Sequence, residues 1–336
     1  MIPATATLAA IVGIAGTTLA SDEQALFRTH PPAGVILFGR NILDPEGLRL
    51  LIGALRRTLP PDAVLMVDQE GGRVARLRPP HWRSHPPAAA HGALFARDPA
   101  AGRRAAFLTG ALIGLDCAAA GFDVVAAPVL DRRLPGAHGV IGDRAFACSP
   151  DAVAELGRAM AGGLLAAGVQ PVGKHVPGHG RARVDSHLEL PVVEAGDLAA
   201  DWRPFAANAD LPWMMTAHIR YPALDAERPA TLSARILGEV VRGRIGFGGV
   251  LVSDDLAMQA LSGTPAERAL AALAAGCDVA LYCSGALAPT ADLLARCPPL
   301  SKAAAARLAA ARASATAARE RLDADTLARE RDGLLT

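Results

Sequence analysis

The chain has almost no lysine: of its 34 lysines and arginines only Lys174 and Lys302 are lysine. A lysine inside an apolar stretch therefore marks a place that wants a compact ammonium rather than the planar fork of arginine. The chain also lacks an excess of either charge. Its 34 basic residues face 33 acidic ones, for a formal net charge of +1, which removes the electrostatic reason to expect nucleic acid or an anionic membrane as partner. Cysteines are few, and Cys117, Cys148, Cys277, Cys283 and Cys297 form no Cys-x-x-Cys pair. That excludes a zinc ribbon or a disulfide frame and reads as reduced thiols in a cytoplasmic protein. No apolar run is long enough to span a bilayer. The stretch from Met1 to Ala20 imitates a signal peptide, but no Lys or Arg precedes it and Gly13 and Gly16 interrupt it. A first core strand near Ala10–Ala15 is the expectation there. No Gly-x-Gly-x-x-Gly follows an early strand, against a dinucleotide-binding sheet, and no repeat or linker divides the chain.

What is present is a series of short apolar runs, each followed by polar or Gly/Pro residues and then by a segment with helical spacing. The runs are Ile11–Ala15, Gly34–Phe38, Ala63–Val67, Val124–Leu130, Val169–Val176, Leu211–Ala217, Gly249–Val252 and Asp278–Tyr282. Continuous rather than alternating hydrophobicity is what strands buried on both faces require. Between them, Pro45–Leu59 carries Leu48, Leu51, Ile52 and Leu55 on one helical face. Ser149-Pro150 begins a second helix that buries Val153, Leu156, Met160 and Leu164 and ends at Gly168. Leu232–Val241 and Pro265–Ala275 read the same way. Eight strands alternating with helices predict a TIM-type (β/α)8 barrel, a single catalytic domain over residues 1–336. Residues from Lys302 on read as one amphipathic terminal helix, a tail of about 300–336, and Pro79–His91 as a long loop over the barrel mouth.

Such barrels place their chemistry at the C-terminal ends of the strands. The third run ends in Asp68-Gln69-Glu70-Gly71-Gly72-Arg73-Val74-Ala75-Arg76, where a carboxylate can accept from two neighbouring hydroxyls and Arg76 can donate to other ligand oxygens. Asp131 and then Arg144 follow the fourth run. The fifth delivers Lys174-His175-Val176-Pro177-Gly178-His179-Gly180 and continues to Asp185-Ser186-His187. The sixth ends at Thr216-Ala217-His218, where a lone histidine is as often structural as functional. In the seventh, period two puts Val250, Val252 and Asp254 on one face and Leu251, Ser253 and Asp255 on the other. Valines facing the barrel would aim Asp254 into the mouth and leave Asp255 to cap the next helix, although a bulge would reverse the pair. An inward carboxylate with a separate His/Asp proton donor is the arrangement of retaining glycoside hydrolysis. Histidine can give and retake a proton near neutral pH, and Asp185 can orient its ring.

These three motifs together, Asp68–Val74, Lys174–Gly180 with Asp185–His187, and Ser253–Met258, resemble the family 3 glycoside hydrolases. Within these the chain looks like the single-domain bacterial β-N-acetylhexosaminidases of peptidoglycan recycling. The resemblance implies Asp254 as nucleophile, rather than Asp255, and His187 as acid/base with Asp185 as its partner. It implies Asp68, Arg76, Arg144, Lys174 and His175 as residues holding N-acetylglucosamine. The implied substrate is N-acetylglucosamine β-1,4-linked to 1,6-anhydro-N-acetylmuramic acid, with or without a stem peptide. The implied protein is a cytoplasmic monomer with no cofactor or metal and no nucleic-acid or membrane partner. Val176 stands where phenylalanine is usual in that family, and Ala145 where serine is usual.

Two other readings fit the same residues. His175, His179, Asp185 and His187 are suitable ligands for a hydrolytic metal, although Lys174 beside them would repel a cation. A histidine that has given up its proton is neutral and would not repel phosphate, so phosphorolysis of the same glycoside is the other alternative.

Overall fold

A computed structural model describes residues 6–184, 189–194 and 196–336. Eight parallel strands form one sheet in chain order: Leu8–Gly13, Pro32–Leu37, Val64–Val67, Val124–Val125, Gln170–Val176, Trp213–Thr216, Val250–Val252 and Ala280–Tyr282. The eighth pairs back onto the first, Ile11 opposite Leu281. The seventh meets the eighth segment at the bridge Val252–Val279, supported by Ser253 N–H to Val279 O at 3.1 Å. The sheet is thus a nearly closed TIM-type (β/α)8 barrel, as the alternation of runs predicted.

Both faces of the strands are buried, which is why the runs read as continuous. Ile11, Ile36, Met66, Val172, Trp213 and Val250 fill the interior, while Val12, Val35, Leu65, Met214 and Leu251 pack outward against the helices. The one polar atom that Trp213 brings inside, its indole N–H, donates to Gln170 Oε1 at 2.8 Å. Helix Pro45–Thr58 starts at Asp44, whose side chain accepts from Gly47 N–H, and buries the expected Leu48, Leu51, Ile52 and Leu55. Helix Pro150–Ala166 is capped by Ser149 and buries Val153, Leu156, Met160 and Leu164.

Four elements differ from expectation. The fourth strand is short because Pro128 has no N–H to give the ladder; beyond it the chain still follows the fifth strand, with Leu130 N–H on Lys174 O at 2.7 Å. Pro79–His91 is not loop throughout: Ala88–Arg97 is a helix, and His91 is buried on it with Nε2 2.8 Å from Thr109 Oγ1. The helix expected at Leu232–Val241 is π-wound over Ile236–Arg244. Ser233 delays it by accepting from Ile236 N–H and donating to Asp225.

The terminal segment is two helices, Lys302–Ala318 and Ala324–Leu335, the second capped by Asp323. The first closes the lower end of the barrel, where Leu308 and Ala311 join the interior cluster. Arg307 bonds Asp278 just before the eighth strand, and Arg312 bonds Asp62 just before the third. The second packs Leu327 against Leu108 and Leu112 of helix Pro99–Ala120. With the lower end closed, the C-terminal strand ends form the accessible mouth.

Candidate active site

A cavity of about 460 Å3 occupies that mouth, lined by Asp68, Glu70, Arg76, Arg144, Lys174, His175 and Asp254 among others, a size that suits a small ligand. Its wall at the third strand begins with a sharp turn. Gly71 has φ +96° and a Cβ there would stand 2.5 Å from Pro86 O, so only glycine fits. Buried Gln69 then draws the chain back. Its Oε1 accepts from Arg76 N–H at 2.6 Å and Leu77 N–H at 3.0 Å, and its Nε2 donates to Leu77 O at 2.9 Å. Arg76 Nη2 is thereby returned to Asp68 Oδ2, 3.2 Å away.

The fifth strand slips register between Lys174 and Val176, and the consecutive residues Lys174 and His175 both face the cavity. Lys174 Nζ sits between Asp68 Oδ1 at 2.9 Å and Glu70 Oε1 at 2.6 Å, with its side chain 3% exposed. Glu70 also takes both arms of Arg144, each at 2.8 Å. Charges therefore alternate along one chain: Arg76, Asp68, Lys174, Glu70, Arg144. Burial raises the Asp68 and Glu70 pKa values, but Lys174 with Arg76 outweighs it at Asp68, and Arg144 with Lys174 lowers Glu70 to about 2. Burial works against the Lys174 ammonium, and its two carboxylates more than restore it. One ammonium bridging two carboxylates is a task the bulkier guanidinium fork fits poorly, which accounts for lysine here.

Asp131 anchors the next element. Almost wholly buried, it accepts from His175 Nδ1 at 2.6 Å, from His175 N–H at 3.2 Å and from His179 N–H at 2.5 Å. The histidine tautomer follows: Nδ1 carries the proton, and Nε2 is the other ring nitrogen.

Val250 and Val252 do face the interior, and Asp254, next in phase, lines the cavity. Burial raises its pKa, but His175 and the Asp255 N–H help to hold it below the ordinary carboxylate value. Asp254 Oδ1 accepts from Asp255 N–H at 2.8 Å. Asp255 does not cap a helix, because the next one begins at Pro265 under Thr264. Its carboxylate instead accepts from Ala257 and Cys283 N–H, both at 2.9 Å, tying the turn to the end of the eighth strand.

Comparison with known proteins assigns the family. Residues 7–313 match the glycosyl hydrolase family 3 N-terminal domain. The chain belongs to glycoside hydrolase family 3. It is 44% identical over 285 residues to a β-hexosaminidase of Alkalilimnicola ehrlichii, covering 82% of this chain and 80% of that one. It is 42% identical to a β-hexosaminidase of Bordetella pertussis, covering 83% and 80%. Among solved structures it superposes on NagZ of Neisseria gonorrhoeae in complex with N-trifluoroacetyl-D-glucosamine with a TM-score of 0.87, 32% identity and full coverage of both chains. A family 3 β-N-acetylglucosaminidase of Paenibacillus gives 0.82 at 28% identity, covering 97% of this chain and 66% of that one.

In this family 3 hydrolase, Asp68, Arg76, Arg144, Lys174, His175 and Asp254 all line one cavity. Asp185 and His187 lie outside the described residues. Sequence reasoning missed Glu70 as the carboxylate joining Lys174 to Arg144, and noted Asp131 without giving it a task. The signal available for both was position alone, a carboxylate at a strand end. As for a metal, no three His, Cys, Asp or Glu side chains are grouped to hold one among the described residues, and His175 Nδ1 is directed at Asp131.

Proposed function

We propose that the chain is a retaining exo-β-N-acetylglucosaminidase that removes terminal N-acetylglucosamine from muropeptides of the type GlcNAc-β-1,4-anhydro-MurNAc, with or without peptide. The observation that carries this reading is the pairing, in one cavity, of an ionised carboxylate, Asp254, with an alternating string of buried charges suited to gripping sugar hydroxyls. The names of the relatives support the acetamido sugar, and one neighbouring structure holds an N-acylated glucosamine in its complex.

In the first step Asp254 attacks the anomeric carbon, the glycosidic C–O bond breaks, and His187 gives its proton to the leaving oxygen. In the second, water attacks the same carbon, His187 takes a proton from it, and the Asp254 ester bond breaks. Asp185 orients the His187 ring and favours its protonated form. Asp68, Arg76, Arg144, Lys174 and His175 hold the sugar. No helix among the described residues is long and apolar enough to cross a membrane, and the cysteines carry no disulfide. The proposal extends to a cytoplasmic monomer acting in peptidoglycan recycling, the setting that the resemblance of the sequence motifs implies.

Hydrolysis of an aryl β-N-acetylglucosaminide set beside the β-glucoside tests the sugar; equal rates would overturn the acetamido assignment. Replacing His187 by alanine is expected to slow alkyl or sugar leaving groups at least about 100-fold more than activated aryl ones, which need little protonation. Equal losses would remove His187 from the acid role.

A further inference from the structure

The turn that carries Asp254 is tied at both ends by groups with no part in the scheme above. Asp254 N–H donates to Thr216 Oγ1 at 3.2 Å, and the Asp255 carbonyl accepts from His218 Nε2 at 2.9 Å. Thr231, on the 3-10 turn Ala230–Leu232, joins the two. Its hydroxyl oxygen lies 2.7 Å from Thr216 Oγ1 and 2.9 Å from His218 Nδ1. Thr216, His218 and Thr231 are all fully buried.

The proton arrangement follows from these partners. A carbonyl can only accept, so His218 Nε2 carries a proton. In the neutral ring, the form that burial favours, Nδ1 is the acceptor. Thr231 then donates to Nδ1, with Ala217 O at 3.0 Å as a second acceptor for the same hydrogen. Thr216 donates to Thr231 Oγ1 and accepts the Asp254 N–H. The bonds run in one direction from Asp254 to Asp255. Within the span they hold, Asp255 N–H donates to Asp254 Oδ1, so fixing this backbone also fixes the carboxylate plane.

We propose that Thr216, Thr231 and His218 are positioning residues that lock the Asp254–Asp255 backbone so that Asp254 Oδ2 is presented to the anomeric carbon. The proposal rests on Asp254 being the nucleophile. A misplacement of about 1 Å at an attacking atom costs on the order of 100-fold in rate, and loss of the Thr231 link allows a shift of that kind.

The test is covalent labelling of the full chain by a 5-fluoro N-acetylglucosaminyl fluoride, followed by intact mass and peptide mapping. Fluoride leaves without a proton, so the reading isolates formation of the Oδ2–C1 bond and cleavage of C1–F from the work of His187. Thr231→Val is expected to slow saturated labelling about 10- to 100-fold and to leave the half-saturating concentration within about twofold. Thr231→Ser, which keeps the hydroxyl, is expected within about threefold of the parent. Labelling at the parental rate by the folded valine variant would overturn the proposal. So would a loss confined to affinity, or a serine variant as slow as valine. If Thr231→Val does not fold, His218→Gln against His218→Leu decides. The glutamine amide can still donate to Asp255 O and is expected to label at least about 10-fold faster; equal rates overturn the ring. Absence of an Asp254 adduct in the parent protein would overturn the nucleophile assignment itself, whereas a parental Asp254 adduct with indifferent variants overturns only the positioning role.

Discussion

Glu70 shows how much one side chain can organise. It compensates Lys174 and Arg144 at once, at 2.6 and 2.8 Å, and only 6% of its own surface is exposed. Glu70→Gln would leave two buried cations sharing Asp68. Removing one partner of a buried ion pair costs about 3–5 kcal/mol, so urea unfolding is expected to show a loss of that order, with KM raised at least about 10-fold as the cations lose their aim. A variant with unchanged KM would separate Glu70 from the sugar grip. Asp254→Asn should behave in the opposite way. An amide is a poor nucleophile, so kcat is expected to fall about 1,000-fold or more while the protein remains folded. Undiminished turnover would refute the assignment. The sequence was informative about Asp254, because period two along Val250–Asp254 is a local property of the strand. It was silent on Glu70, whose partners lie 74 and 104 positions away and meet only when the barrel closes.

At the scale of elements, helices Pro99–Ala120 and Pro150–Ala166 cross so closely that backbone touches backbone. A Cβ on Gly163 would stand 2.1 Å from Phe107 O, whereas one on Gly162 would find its nearest neighbour at 3.7 Å. Gly163→Ala is therefore expected to destabilise by about 3 kcal/mol through overpacking. Gly162→Ala should be neutral or stabilising by about 0.5–1 kcal/mol, since alanine is the better helix former. Thermal unfolding of the two variants checks the pair, and equal shifts would argue against the close crossing. Sequence periodicity located the second of these helices and its buried face, but the demand for glycine comes from the neighbouring helix. The terminal segment teaches the same lesson. Its alanine-rich pattern announces a helix, while the break at residues 319–323 and the plugging of the barrel by Leu308 and Ala311 depend on what lies beneath.

The whole molecule responds to acid through its buried histidines. His91 and His179 are lowered to about 4, chiefly by burial and at His179 also by His175. The unfolded chain binds those protons near pH 6.5, the native protein only near pH 4. Their contribution to stability is therefore fully present above about pH 6.5 and is lost as pH falls towards 4, by about 2–3 kcal/mol for each. Glu70, lowered to about 2, adds a second loss from its unfolded value near 4.5 downward. Urea unfolding between pH 8 and pH 3 should give a plateau above neutrality, a decline below about 6.5 and a steeper one below about 4.5. A profile flat from pH 7 to pH 4.5 would show that these histidines titrate normally.

The sequence by itself determined the eight buried strands, the alternation with helices and the kinds of side chain waiting at each strand end. All of these are carried by hydrophobic period, caps and turn residues within a few positions of one another. Only the tertiary structure decided that Lys174 and His175 face the same way, that Glu70 and Asp131 complete the charged wall, and that Thr231 joins Thr216 to His218. Those outcomes depend on a register slip between neighbouring strands and on closure of the barrel. Closure brings together groups far apart in the chain, and no local pattern records which of them will meet.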